Sequence, residues 1–226
     1  MKKKIVLTFL ATAGFILCCA GCFLLGVYRG EGSKTLPLET VYVPDTEYEG
    51  IPEDVLASIV EIDVFNERDE KIANASGFIA FEPRYLVTCR HALVNMKYAV
   101  CTTETGETFR IDDICQEDED LDIAICILPK ECKLKALKIA TTPLKRGESV
   151  TAVGSQFGIV NVVTRGNASM IKNSYILFTA FVNSGSSGGV LLNSSYEVCG
   201  VIRGTYEGQG INVAIPIDLV SKAALQ

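Results

Sequence analysis

Residues Asn183-Ser-Gly-Ser-Ser-Gly-Gly-Val-Leu191 set one serine, Ser187, among glycines and run at once into the apolar stretch Val190-Leu-Leu192. Acyl-transfer chemistry needs a hydroxyl nucleophile beside backbone N–H groups aimed at the developing oxyanion. A glycine two residues before the serine lets the chain turn so that the amides of Gly185 and Ser187 converge. Gly188 and Gly189 carry no side chains and allow a close approach of backbone or substrate. By itself the segment also reads as a Gly/Ser-rich hairpin loop. The strand that starts at Val190 favours the turn of a nucleophile.

Working outward, a seryl hydroxyl is weak until a neighbouring base takes its proton. The chain has one histidine, His91, at the end of Tyr85-Leu-Val-Thr-Cys-Arg-His91. A lone histidine is more often structural than catalytic, but this one ends a strand-like run. It also lies 96 residues before Ser187, so the two meet only across the fold. Asp122 opens Asp122-Ile-Ala-Ile-Cys-Ile-Leu128 and could hold the imidazole Nδ1–H. The preceding Glu117, Asp118, Glu119 and Asp120 read as a solvated acidic loop.

The rest of the chain from Val55 alternates short β-type runs with turn signals. Predicted strands are Ser58–Phe65, Gly77–Phe81, Tyr85–Thr88, Tyr98–Thr103, Thr108–Ile114 and Ile123–Leu128. A second set follows at Leu137–Ala140, Ser149–Val153, Val160–Val163, Ser169–Lys172, Ile176–Ala180, Gly189–Leu192, Val198–Arg203 and Asn212–Ile215. The one segment of helical periodicity is Asp218–Gln226, a short C-terminal helix. Many strands without alternating helices mean an all-β barrel or sandwich. Polar residues around 129–136 divide the strands into two sets, which fits two six-stranded antiparallel barrels in one domain, 51–226.

The order His, Asp, Ser, with Gly-Ser-Ser-Gly-Gly at the nucleophile, resembles the trypsin-like serine proteases of the chymotrypsin fold. Within them it is most similar to the bacterial Do-like, high-temperature-requirement branch, over about Ala75 to Asp218. Ser76-Gly-Phe-Ile79, Tyr85-Leu-Val-Thr-Cys-Arg-His91, Asp122-Ile-Ala124, Gly154-Ser-Gln-Phe-Gly158 with Val163-Thr-Arg-Gly166, Gly200-Val-Ile202 and Asn212-Val-Ala-Ile-Pro216 match its elements in order. The resemblance implies a triad of His91, Asp122 and Ser187, and an oxyanion hole from the amides of Gly185 and Ser187. It implies an S1 region lined by Phe181, Val182, Asn183, Ser184, Arg203, Gly204, Thr205 and Asn212. Phe181 stands six residues before Ser187, where trypsin-type enzymes hold an aspartate, so a basic P1 side chain is not expected. Gln156 and Val190 replace the family's usual prolines and Ser186 its usual asparagine, which touches turn geometry and substrate choice. No PDZ module and no Ile-Val-Gly-Gly activation sequence is expected.

Before the domain, Lys2, Lys3 and Lys4 precede 24 uncharged residues, Ile5 to Tyr28. As a helix these would span about 36 Å against a hydrocarbon core of about 30 Å. Cleaved signal peptides have apolar regions of about 7 to 15 residues, so length favours an uncleaved transmembrane signal anchor over residues 1–28. The lysines then stay cytoplasmic and the domain is extracytoplasmic, periplasmic or extracellular. Cys19-Ala-Gly-Cys22 loosely matches a lipobox, so lipidation of Cys22 is the first alternative and cleaved secretion the second. Residues 29–50 read as a polar linker.

Composition bounds the partners. The chain has 226 residues, 21 basic and 27 acidic, and a net charge of −6. No basic stripe offers a nucleic-acid footprint. Nine cysteines are many, but none shows CxxC spacing, and with one histidine a metal site has little support. No cofactor is expected. Two functions remain from different classes: a serine endopeptidase acting on protein or peptide substrates, and a catalytically silent protease fold that binds or senses at the membrane. The presence of all three triad residue types favours the enzyme. Oligomeric state is not readable from the chain.

Overall fold

The computed structural model describes residues 50–206 and 210–224. The expected anchor 1–28, Cys22, nearly all of the linker and the last two residues of the expected C-terminal helix lie outside them. Among the described residues no helix is long and apolar enough to cross a membrane. A one-turn helix α1 (Glu53–Leu56) leads into thirteen strands: β1 (Ile59–Phe65), β2 (Lys71–Ile79), β3 (Tyr85–Cys89), β4 (Tyr98–Thr103), β5 (Thr108–Ile111), β6 (Gln116–Asp118), β7 (Ile123–Ile127), β8 (Ser149–Gly154), β9 (Val162–Ile171), β10 (Ile176–Phe178), β11 (Val190–Leu192), β12 (Val198–Tyr206) and β13 (Ile211–Pro216). Helix α2 (Ile217–Ala224) follows at once.

The all-β class holds, but the expected pair of six-stranded barrels is corrected in the first half. That half is a seven-stranded sheet ordered β5-β4-β1-β2-β3-β7-β6, whereas the second is a closed six-stranded barrel, β10-β13-β12-β11-β8-β9. The seventh strand, β6, comes from the acidic run read as a loop: Gln116 faces Ile125 and Asp118 faces Ile123. Its acidic side chains, Glu117 exposed and Asp118 half-buried, hide the pairing, because the ladder bonds are made by backbone and are blind to side-chain polarity. β9 merges two predicted strands. It pairs with β8 through Val162 to Asn167 and with β10 through Ala168 to Ile171, bridging a polar middle that had read as a break.

Leu137–Ala140 is not a strand. It makes only single parallel bridges, Ala80 to Leu137 and Ile139 to Val198, and so straps the sheet to the barrel. β1 shows the alternation expected of a strand with one core face: Ile62 and Val64 are fully buried while Glu61, Asp63 and Phe65 are not. Burying Phe78 in the sheet core and Phe178 in the barrel core stabilises the fold by about 2–3 kcal/mol each. Val153, Val190, Leu192, Val198, Val201 and Ile215, all from barrel strands, join the sheet's core. The two halves therefore share one apolar floor, and the residues above it are held in fixed register.

Candidate active site

His91 and Asp122 meet because of one strand pair. In the β3–β7 ladder Cys89 faces Ile123, so the residues just beyond β3 and just before β7 emerge side by side. His91 sits in a 3-10 turn, Arg90–Leu93, that follows β3 directly. Asp122 has φ 62, a left-handed backbone that a non-glycine residue rarely adopts, and its carbonyl takes the Arg90 N–H at 3.1 Å. The carboxylate then receives the His91 backbone N–H on Oδ1 at 2.9 Å and the ring Nδ1 on Oδ2 at 2.7 Å. Arg203, arriving from β12, donates its Nε–H to the same Oδ2 at 3.0 Å.

These contacts decide the charge of Asp122, which is 8% exposed. Burial pushes its carboxyl upward. Hydrogen bonds from the His91 ring and backbone N–H, the imidazole's charge and the Arg203 guanidinium outweigh that and hold it below the usual carboxylate range. A depressed carboxyl contributes stability above its unfolded pKa of about 3.9 and loses it as pH falls through the lower folded value. Asp122 is therefore ionised at every pH near neutrality.

The Ser187 loop is held from below by the sheet. Ser76 on β2 is fully buried, gives its N–H to the Ser187 carbonyl at 2.9 Å and its hydroxyl to the Gly185 carbonyl at 2.7 Å. It also accepts the Ser155 N–H on Oγ at 2.7 Å, and Thr88 donates to its carbonyl at 2.7 Å. The loop closes on itself through Ser186 N–H to the Asn183 carbonyl and Gly189 N–H to the Ser186 carbonyl, both 2.9 Å. Gly185 has φ +94, and a Cβ there would strike the Ser155 carbonyl. Among the described residues the N–H groups of Gly185 and Ser187 go to no protein acceptor. The Ser187 hydroxyl donates to the Arg203 carbonyl at 3.2 Å, not to His91.

A groove of about 800 Å³ opens beside the His91, Asp122 and Arg203 cluster, and no residue of the 183–189 loop lines it. Its wall includes His91, Asp122 and Arg203, and apolar surface comes from Leu177, Val213 and Ile215. Of the residues expected around S1, Arg203, Gly204 and Thr205 line this groove. Phe181, Val182, Asn183, Ser184 and Asn212 do not: Phe181 is 59% exposed, while Asn212 is buried and donates Nδ2–H to the Ala180 carbonyl at 2.6 Å. The sequence reading assigned Arg203 to the pocket wall and missed its bond to Asp122. It named Ser76 within the Ser76–Ile79 element but gave it no role at the site. Among the described residues, Cys89, His91 and Asp122 form the one grouping of metal-ligand type. Burial, with the Asp122 charge, pushes the Cys89 thiol far up, and it donates to the Ile202 carbonyl at 3.3 Å, so this grouping offers no ready thiolate.

Residues 75–201 match the family described as trypsin-like peptidase domain. Serine protease HTRA1B of Danio rerio is 33% identical over 189 residues, covering 75% of this chain and 39% of that protein. Serine protease HTRA1 of Xenopus laevis is 32% identical over 190 residues, covering 76% and 41%. The chain thus spans about two fifths of the length of these relatives. The crystal structure of the serine endoprotease from Yersinia pestis shares the fold, with a TM-score of 0.70 at 22% identity over 78% of this chain and 67% of that one.

Proposed function

Since the chain belongs to the trypsin-like peptidase domain family, we propose that it is a serine endopeptidase whose catalytic residues are Ser187, His91 and Asp122. The observation that carries this reading is the doubly bound His91, its ring and its backbone N–H both on Asp122, which Arg203 links to a glycine-rich serine loop with two unspent amides. Asp122 fixes the imidazole with Nδ1–H inward, leaving Nε2 to take the Ser187 proton. Ser187 Oγ turns from the Arg203 carbonyl and attacks the peptide carbonyl carbon. The new oxyanion accepts from the N–H groups of Gly185 and Ser187. His91 returns the proton to the leaving amine, and water then cleaves the acyl-enzyme by the same route.

Protein or peptide chains are the substrates this reading implies, lying along the groove edged by Arg203, Gly204 and Thr205. The exposed Phe181 and the absence of an acid at that position speak against a basic P1 residue. Incubation with an unfolded protein substrate tests the proposal. Internal cleavage with new N-termini, blocked by a fluorophosphonate, is expected; an intact substrate at neutral pH would refute it. Because Asp122 stays ionised, loss of cleavage on acidification reports the imidazole, whose protonated form cannot accept the serine proton.

The N-terminal segment is proposed as a membrane anchor that holds the peptidase domain on the extracytoplasmic side. Three lysines before 24 uncharged residues support this. The protein is expected in the membrane fraction, resistant to high salt, with Lys2–Lys4 retained in the intact mass. Loss of residues 1–21 with added acyl mass would instead show lipidation at Cys22. A soluble form starting after residue 22 would refute anchoring.

A further inference from the structure

We propose that Arg203 is a positioning residue of this site, one that holds Asp122 from the opposite half of the fold and whose charge sets the pH range in which His91 can act as a base. The inference rests on the peptidase reading above and extends it to a residue outside the triad. Three observations carry it. Arg203 Nε and His91 Nδ1 bind the same carboxylate oxygen, at 3.0 and 2.7 Å, so the guanidinium competes with the imidazole for the charge on Oδ2. Arg203 comes from barrel strand β12 while Asp122 precedes sheet strand β7, so the pair bridges the two halves at the groove. The Arg203 carbonyl meanwhile accepts the Ser187 hydroxyl at 3.2 Å. One residue thus touches both Asp122 and Ser187.

The electrostatic consequence has a definite sign. Among the described residues, the charged and titratable groups at the groove His91 lines are Cys89 at the end of β3, Arg90 on its own turn, Glu119, Asp120 and Asp122 before β7, Tyr175 just before β10, and Arg203 and Tyr206 on β12. Arg90 is engaged elsewhere, with Glu117 at 2.9 Å and Glu119 at 3.5 Å. Arg203 is therefore the cation that offsets Asp122. A positive charge beside the dyad disfavours the imidazolium. Removing it lets Asp122 stabilise the protonated ring unopposed, and the neutral base is then available only at higher pH. The Arg203 side chain is 52% exposed, so solvent moderates the effect without erasing it.

The single histidine makes this directly measurable, because every imidazole NMR signal belongs to His91. The full chain in detergent is titrated as wild type, Arg203→Ala and Arg203→Lys, and fluorophosphonate labelling rates are followed over the same pH range. In Arg203→Ala the imidazole titration midpoint and the acid limb of labelling should move together to higher pH, by roughly half to one unit. Arg203→Lys keeps the charge but loses the planar fork. It should hold the wild-type midpoint while labelling at the pH plateau falls several-fold. A purely structural role would lower labelling in both variants without moving the midpoint. An unmoved midpoint in folded Arg203→Ala overturns the inference. A midpoint that moves in a protein that never labels supports the link from Arg203 to His91 and overturns the peptidase reading instead.

Discussion

Replacing Ser187 with alanine is expected to lower kcat/KM for peptide cleavage by four or more orders of magnitude while leaving the melting temperature within a few degrees. The substitution removes one hydroxyl whose bond is to the Arg203 carbonyl at 3.2 Å. The loop is held by other atoms: the Ser187 carbonyl on Ser76 N–H, and Gly188 N–H on the Ile202 carbonyl at 2.8 Å. A triad that works as a unit loses about 10⁴ to 10⁶ in kcat when its nucleophile is removed. His91→Ala should cost the same within error, and the double variant should be no worse than either single one, because the effects are not additive. A double variant substantially slower than both would show that the two residues act independently.

The second large effect is structural. Gly188→Ala should lower stability by about 3–5 kcal/mol, from strain at a positive φ and from forced overpacking. That corresponds to a fall in melting temperature of roughly 10 °C for a domain of this size. Gly188 has φ +83, and a Cβ there would strike the Ser76 carbonyl and Thr88 Oγ1, atoms already bonded to each other at 2.7 Å. Neither can give way without loosening the strand that supports the nucleophile loop. Gly106 supplies the control. It has the same φ of +83 with nothing within 4 Å, so Gly106→Ala should cost about 1 kcal/mol of backbone strain alone. Equal melting temperatures for the two alanine variants, read by thermal unfolding, would show that the crowding at Gly188 is not real.

What the sequence made legible follows a physical pattern. His91 and Asp122 could be picked out because each adjoins an apolar run, and the β3–β7 ladder turns that position into contact. Ser187 was legible from its glycines, two of which take positive φ. The closed barrel was legible as alternating runs, apart from β9, whose exposed polar centre interrupts the pattern while its backbone pairing continues, and from Leu137–Ala140, which is no strand. β6 was hidden for the same reason. Of the residues implied around S1, Phe181 is exposed and Asn212 is buried on Ala180. Arg203's partner was unreadable, since a long side chain on barrel strand β12 reaches a carboxylate 81 positions away with no trace in local sequence.

The central claim is that Ser187, made nucleophilic by His91, is the residue that forms the acyl-enzyme. The most direct measurement is mass spectrometry of the full chain after reaction with a fluorophosphonate, followed by peptide mapping. One adduct per chain on Ser187 is predicted, absent from Ser187→Ala and His91→Ala. An adduct on Ser186, or no adduct on a folded wild-type chain at neutral pH, would contradict it.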